Sequence, residues 1–313
     1  MRAASALALP FLAALVLAAV PGAAHAQGCQ LRIEGLSRIA FVQGYDPLSG
    51  REAEERVDVT VRRLSGDCDF ALGAGPGQGG GATRRMSQGG SGLAYEIYGG
   101  RGRGRPLRDA DTGGTDVLVL GEFRGNQVEA RLDLTAIVPE GQVVTAGGYS
   151  DTVVFTLYQL VGGVPGRVLD SRAVSVSATV SAVASFEVVI DGSRTALRGG
   201  TLGKLDFGTL SAGQRRGFDL EARGNVGYDI ELGSENGGAM VGQGYAKESS
   251  VPYRLYLDGR GLDLGRPAAV GQSPVTDTGR AATLHRFEIE IGDTGRAEAG
   301  KYRDDLTLTV TTR

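Results

Sequence analysis

Few residues of this chain have the types and spacing that catalysis needs. Its two histidines are His25 and His285. A Ser-His-Asp or Cys-His site would have to be built on one of them, because imidazole is the usual base for a hydroxyl or thiol nucleophile. His25 lies at the end of an apolar leader. His285 stands in Thr283-Leu-His-Arg-Phe-Glu-Ile-Glu-Ile291, an alternating strand in which it is expected to face solvent, and no nucleophile motif accompanies it. Cys29 and Cys68 are the only cysteines, and two thiols without a nearby histidine make no zinc site. Gly75-Pro-Gly77-Gln-Gly-Gly80 has the glycines of a dinucleotide loop but no helix after it to receive a phosphate. Asp109-Ala-Asp111-Thr-Gly113 begins like a calcium loop but lacks the full spacing and the downstream Glu. Glu288 and Glu290 alternate on one strand face and read as solvated. The expectation is a protein that is not an enzyme and that carries no cofactor and no metal.

The compartment follows from the start of the chain. Arg2, an apolar run from Ala6 to Val20, then Pro21-Gly22 and Ala24-His25-Ala26 read as a secretory signal spanning residues 1–26. The run is short for a spanning helix. An exported chain enters an oxidising compartment, so Cys29 and Cys68 are expected to form one disulfide. A net charge of −3 leaves no basic footprint for nucleic acid.

The elements that must position anything here are strands. Val57-Asp-Val-Thr-Val61, Val128-Glu-Ala-Arg-Leu-Asp-Leu134, Arg254-Leu-Tyr-Leu257 and Phe287-Glu-Ile-Glu-Ile291 alternate apolar and polar residues, the period of a half-buried strand. Asp191-Gly192, Asp258-Gly259, Gly162-Gly163 and Ser234 to Gly238 are turn signals. No long 3.6-residue period follows the leader. The fold class is all-β, two antiparallel sandwiches of short strands.

The chain is also a repeat. Ala146-Gly-Gly-Tyr149-Ser-Asp151 returns as Ala299-Gly-Lys-Tyr302-Arg-Asp304, each followed by an alternating strand. Cys29-Gln-Leu-Arg-Ile33 lines up with Phe186-Glu-Val-Val-Ile190, Cys68-Asp-Phe-Ala-Leu72 with Tyr228-Asp-Ile-Glu-Leu232, and Leu93-Ala-Tyr95 with Val251-Pro-Tyr253. Fixed order at a nearly constant offset indicates two copies of one domain, 27–180 and 181–313. Phe186 and Tyr228 stand where the first copy has its cysteines, which predicts an aromatic pair in place of the disulfide.

After the first Tyr-x-Asp motif, the segment 167–180 supplies one more strand, pointing Val174, Val176, Ala178 and Val180 into the core. After the second motif only Thr311, Thr312 and Arg313 follow the strand. The second copy is therefore expected to lack its final strand and to leave Leu306, Leu308 and Val310 lining an open edge. Such an edge invites a strand from another chain.

The duplicated Ala-Gly-x-Tyr-x-Asp motif, with the junction Val176-Ser-Ala-Thr-Val-Ser-Ala-Val-Ala-Ser-Phe186, resembles the spore coat protein U domain, the subunit fold of archaic (Csu-type) chaperone–usher pili. The resemblance is strongest over 174–313 and loose over 31–140, and Phe186 replaces the family's usual cysteine. It implies incomplete Ig-like sandwiches, held by a periplasmic chaperone, passed to an outer-membrane usher and completed by the donor strand of an adjacent pilin subunit. Only Gln27 and Gly28 separate the leader from Cys29, so the chain can accept a strand and has none to give. That arrangement resembles a two-domain tip adhesin, reached through the periplasm and displayed at the cell surface, mediating attachment and biofilm formation. The alternative is a secreted structural protein of the same family, or a minor pilus subunit without an adhesive role.

Adhesion to an unknown surface or receptor would then belong to the first copy. Its candidate surface is the pair of Gly-rich loops from Gly73 to Gly92 and from Gly99 to Gly114, with Tyr95, Tyr98, Arg101, Arg103 and Arg105.

Overall fold

The computed structural model describes residues 28–113, 115–200, 203–246, 248–264, 268–272 and 282–313; the expected signal at 1–26 lies outside them. The first half contains β1 (Gln30–Glu34), β2 (Arg38–Tyr45), β3 (Ala53–Ser65), β4 (Cys68–Ala74), β5 (Arg84–Gln88), β6 (Ser91–Gly99), β7 (Val119–Phe123), β8 (Glu129–Val138), β9 (Gly147–Val161) and β10 (Val164–Val180). The second half contains β11 (Ala184–Ile190), β12 (Ser193–Ala196), β13 (Arg215–Gly224), β14 (Tyr228–Ser234), β15 (Ala239–Gln243), β16 (Ser250–Leu257), β17 (Arg260–Leu262), β18 (Ala268–Gln272), β19 (Thr283–Ile291), β20 (Lys301–Arg303) and β21 (Leu306–Thr312). The protein is all-β, with a short α-helical turn at Ala110–Gly113 and 3-10 turns at Thr115–Val117 and Gly244–Ala246 among the described residues.

Alternation decides which face of each strand is buried. In β3, Val57, Val59 and Val61 point inward between exposed or half-buried polar residues, and Phe287, Ile289 and Ile291 do so in β19. Turn chemistry sets the hairpins: Gly162-Gly163, Asp191-Gly192 and Asp258-Gly259 all have positive φ at both positions. That is the twist a two-residue hairpin requires.

Two apolar clusters result. The first draws on residues from Cys29 to Val180 and the second on residues from Val188 to Ile291. In the first, β1, β3, β8 and β6 form one sheet, and β7, β4, β9, β10 and β2 the facing one. All these contacts are antiparallel except β10 with β2, which is parallel. In the second, β12, β11, β13, β19 and β16 form one sheet and β18, β14 and β21 the other.

The two halves share their pairing scheme. β1·β3, β3·β8, β8·β6, β6·β5, β5·β9, β4·β9 and β4·β7 return as β11·β13, β13·β19, β19·β16, β16·β15, β15·β20, β14·β21 and β14·β18. The contacts of β10, with β9 and with β2, have no counterpart among the described residues. β10 begins at Val164, three residues before the expected start at 167.

Candidate strand-acceptor cleft

The repeated motif fixes the strand that carries it. Tyr149 sends its hydroxyl to the carbonyl of Thr145, 2.9 Å away, and Tyr302 does the same to Glu298 at 2.7 Å. Each ring thus clips the loop entering its strand. The aspartates work across the sheets. Asp151 accepts from Tyr95 Oη at 2.7 Å and from the Gln78 amide at 2.8 Å. Asp304 accepts from Tyr253 Oη at 2.5 Å and from the Asn236 amide at 3.1 Å. Burial, then the hydrogen bond to the carboxylate, pushes the phenols of Tyr95 and Tyr253 above their ordinary range, so both stay protonated as donors. The glycine-rich loop after β4 belongs to this arrangement. A Cβ on Gly77 would fall 2.2 Å from the Asp151 carboxylate, so only glycine lets the loop wrap it.

Beyond this shared frame the halves differ at one edge. β9 lies between β4 and β10, and its inward Val153, Phe155 and Leu157 are 0 % exposed. Among the described residues β21 pairs with β14 alone, and the corresponding Leu306, Leu308 and Val310 are just half-buried against the second cluster.

The second neighbour of β10, and the segment of the second half that follows β12, were not read from the sequence. In the first half that neighbour is β2, whose Ile39, Phe41 and Tyr45 are buried and whose backbone pairs with β10. In the second half Leu205, Phe207 and Leu210 pack on the core from a segment without strand pairing. Gly44 follows Phe41 by three residues and Gly208 follows Phe207 by one, so these positive-φ glycines gave no register by which to align the two segments. An extended segment registers as a strand only when a neighbouring strand takes its hydrogen bonds, whereas here the carbonyls of Asp206 and Phe207 accept from the side chains of Arg216 and Gln214.

Val174, Val176, Ala178 and Val180 are all buried in the first core. Cys29 and Cys68 are joined in a disulfide. Phe186 and Tyr228 stand edge to face with centroids 5.3 Å apart. His285 does not face solvent as expected: it is 2 % exposed, with Nε2 2.7 Å from Tyr228 Oη and Nδ1 3.3 Å from Asp258 Oδ2. Its strand position points into the core, and the two polar neighbours satisfy its ring nitrogens.

The candidate adhesive residues fare unevenly. Tyr95 is no surface residue: it is 0 % exposed, because β6 turns it inward to Asp151. Tyr98 is half-buried. Arg101 pairs with Asp133 at 3.3 Å, Arg103 with Glu52 and Arg105 with Asp116, so each guanidinium already has a carboxylate. The loops are tied down by Arg84, which donates to the carbonyls of Ala74, Gly75 and Leu107 and to Glu96 at 2.8 Å; Arg108 shares that carboxylate. A different surface stands out. Leu64, Leu120, Val128, Val161, Val164 and Val168 are exposed, with Val161 at 67 % and Val164 at 64 %. They sit toward the end of the first sandwich where the β9–β10 hairpin turns, opposite the end where β10 leads into residue 181.

Residues 13–156 match the Spore Coat Protein U domain. The match falls on the first copy, whereas the resemblance reads most strongly over 174–313. No curated protein matches the chain. Among solved structures, the chain is similar to a chaperone–tip subunit pre-assembly complex from archaic chaperone–usher Csu pili of Acinetobacter baumannii, at 13 % identity and TM-score 0.38, covering 90 % of this chain and 99 % of that one. It is similar to the CupB6 tip adhesin of Pseudomonas aeruginosa at 12 % identity and TM-score 0.40, covering 90 % and 94 %. It is also similar to CfaE, the adhesive subunit of CFA/I fimbria of enterotoxigenic Escherichia coli, at 11 % identity and TM-score 0.41, covering 90 % and 81 %. These structures are of pilus and adhesin proteins.

Proposed function

We propose, from the premise that residues 13–156 carry a Spore Coat Protein U domain, that this chain is a two-domain fimbrial tip adhesin assembled by donor-strand complementation. In this reading, residues 1–26 direct export, 27–180 form the adhesive domain and 181–313 form an acceptor domain. The observation that carries it is internal: the pairings of the first copy recur in the second except those of β10. Val174, Val176, Ala178 and Val180 complete the first sandwich from within. Leu306, Leu308 and Val310, half-buried against the second cluster, await an equivalent strand from outside the described residues.

The physical drive is twofold. An incoming strand satisfies the free amides and carbonyls of β21, and its alternate side chains complete the apolar core. Each valine or leucine fully buried in this way is worth about 1.5–3 kcal/mol. A strand antiparallel to β21 would leave the cleft near residues 301–305, away from the junction with the first copy. The adjacent subunit then continues the fibre, and the first copy points outward. A periplasmic chaperone covers the cleft before delivery to the usher, and the exposed valines and leucines at the far pole form the contact with a surface.

The test is limited proteolysis of the full chain, alone and with its chaperone. The reading expects a fragment ending near Val180 to survive alone, chaperone protection of the remainder, and loss of that protection in Leu308→Asp. Equal resistance of both copies without any partner would overturn it.

A further inference from the structure

The first copy shows what an occupied cleft looks like. In β10, Val174 lies opposite Val153, Val176 opposite Asp151, Ala178 opposite Tyr149 and Val180 opposite Gly147. Directly opposed residues share a face of the sheet, and here their sizes are reciprocal. The smallest strand residue, Ala178, faces the largest acceptor residue. The Tyr149 ring cannot withdraw, because its hydroxyl is held by Thr145 O at 2.9 Å and lies 3.0 Å from Ser91 Oγ. Val180 faces Gly147, where a Cβ would come within 2.3 Å of Gln88. Val176 tolerates a carboxylate opposite because Tyr95 and the Gln78 amide already occupy its oxygens.

The second copy repeats this acceptor side. Gly300, Tyr302 and Asp304 stand in the same order, with Leu306 in place of Val153. Tyr302 is pinned by Glu298 O at 2.7 Å and Ser249 Oγ at 2.9 Å. A Cβ on Gly300 would lie 2.8 Å from that of Ala246. Asp304 is occupied by Tyr253, Ser234 and Asn236.

We infer that the β21 cleft selects its strand by side-chain size, taking apolar residues opposite Leu306, Asp304 and Gly300 and a small residue opposite Tyr302, so that this chain's own β10 sequence is a competent occupant in trans. The inference rests on the reading of β21 as an acceptor edge and adds which strand fits it. Along an antiparallel donor the inward order is apolar, apolar, small, apolar, which is the order Val174, Val176, Ala178, Val180.

The experiment titrates the purified full chain with a synthetic peptide spanning residues 172–181, with the same peptide carrying Ala178→Leu, and with an outward-face control carrying Thr179→Val. Binding is read by peptide anisotropy and by hydrogen exchange of the amides from Gly300 to Leu308. The native and control peptides are expected to bind alike and to slow exchange over Gly300–Leu308, the residues that lie opposite the peptide in this register. Ala178→Leu is expected to bind about tenfold more weakly or worse, since overpacking beside a pinned ring has no relief. Equal binding by all three peptides overturns size selection and leaves the acceptor reading standing. Binding by none overturns the inference, and β21 exchange that stays unchanged with chaperone as well overturns the acceptor reading beneath it.

Discussion

Phe186 and Tyr228 meet edge to face, ring centroids 5.3 Å apart, at the positions that Cys29 and Cys68 hold in the first copy. One sandwich joins β1 to β4 by a covalent bond, and the other joins β11 to β14 by two rings, with His285 against the second of them at 5.8 Å between centroids. A disulfide is worth about 2–4 kcal/mol, whereas an aromatic pair adds about 0.5–1.5 kcal/mol beyond its burial.

That equivalence can be made covalent. The double substitution Phe186→Cys and Tyr228→Cys is expected to form a second disulfide under oxidising conditions. A thiol count before and after unfolding checks it, and two free thiols in the folded protein would break the equivalence. Reduction of the natural protein should cost the first copy about 2–5 kcal/mol. The second copy's transition in a denaturant titration should stay where it was.

Alkali should weaken both copies through their Tyr–Asp contacts. Tyr95 and Tyr253 have folded pKa values raised by burial and by Asp151 and Asp304, and Tyr158, beside Asp109, is pushed up to about 12. A raised pKa means that the folded state holds the proton more tightly. The contribution is therefore complete below the unfolded value, about 10, and is lost as pH rises beyond it toward the folded values. Urea midpoints should be flat from pH 7 to 9 and fall above pH 10. In Tyr95→Phe and Tyr253→Phe that fall should be shallower, from a lower neutral stability.

Arg84 should be among the most sensitive side chains of the first copy. It is 1 % exposed, it bonds three carbonyls and Glu96, and its burial lowers its own pKa against the opposing pull of that carboxylate. Arg84→Ala leaves Glu96 with Arg108 and removes a donor from three carbonyls, of which that of Leu107 keeps Arg108 at 3.1 Å. The expected loss is about 3–5 kcal/mol, read as a lowered unfolding midpoint with the second copy unchanged. Glu96→Gln, which keeps a hydrogen-bond acceptor, should lose less.

Attachment should depend on the apolar pole more than on the arginine loop. Val161→Asp together with Val164→Asp is expected to reduce adsorption of piliated cells to a hydrophobic surface while leaving piliation intact. Arg103→Ala should change neither, because that guanidinium is already paired with Glu52. The reverse pattern would return adhesion to the Gly/Arg loops.

Much of the molecule is legible in its residues because the relevant signals are local. Alternation in Val57–Val61 and Phe287–Ile291 dictates strands, the Gly162-Gly163, Asp191-Gly192 and Asp258-Gly259 pairs dictate tight hairpins, and the recurrence of Tyr-x-Asp dictates two copies of one fold. The correspondence of Phe186 and Tyr228 with two cysteines also follows from order along the chain. Tertiary structure decided the rest, because period two states that a strand has two faces but not which neighbour covers each. It turned Tyr95 and His285 inward, where Asp151, Tyr228 and Asp258 satisfy them. It packed Leu205 and Phe207 on the second core from a segment without strand pairing, which alternation does not reveal. It gathered Leu64, Val128, Val161 and Val164, distant in sequence, toward one end of a sandwich. Burial and edge pairing are properties of neighbours brought together from far along the chain, and no local pattern contains them.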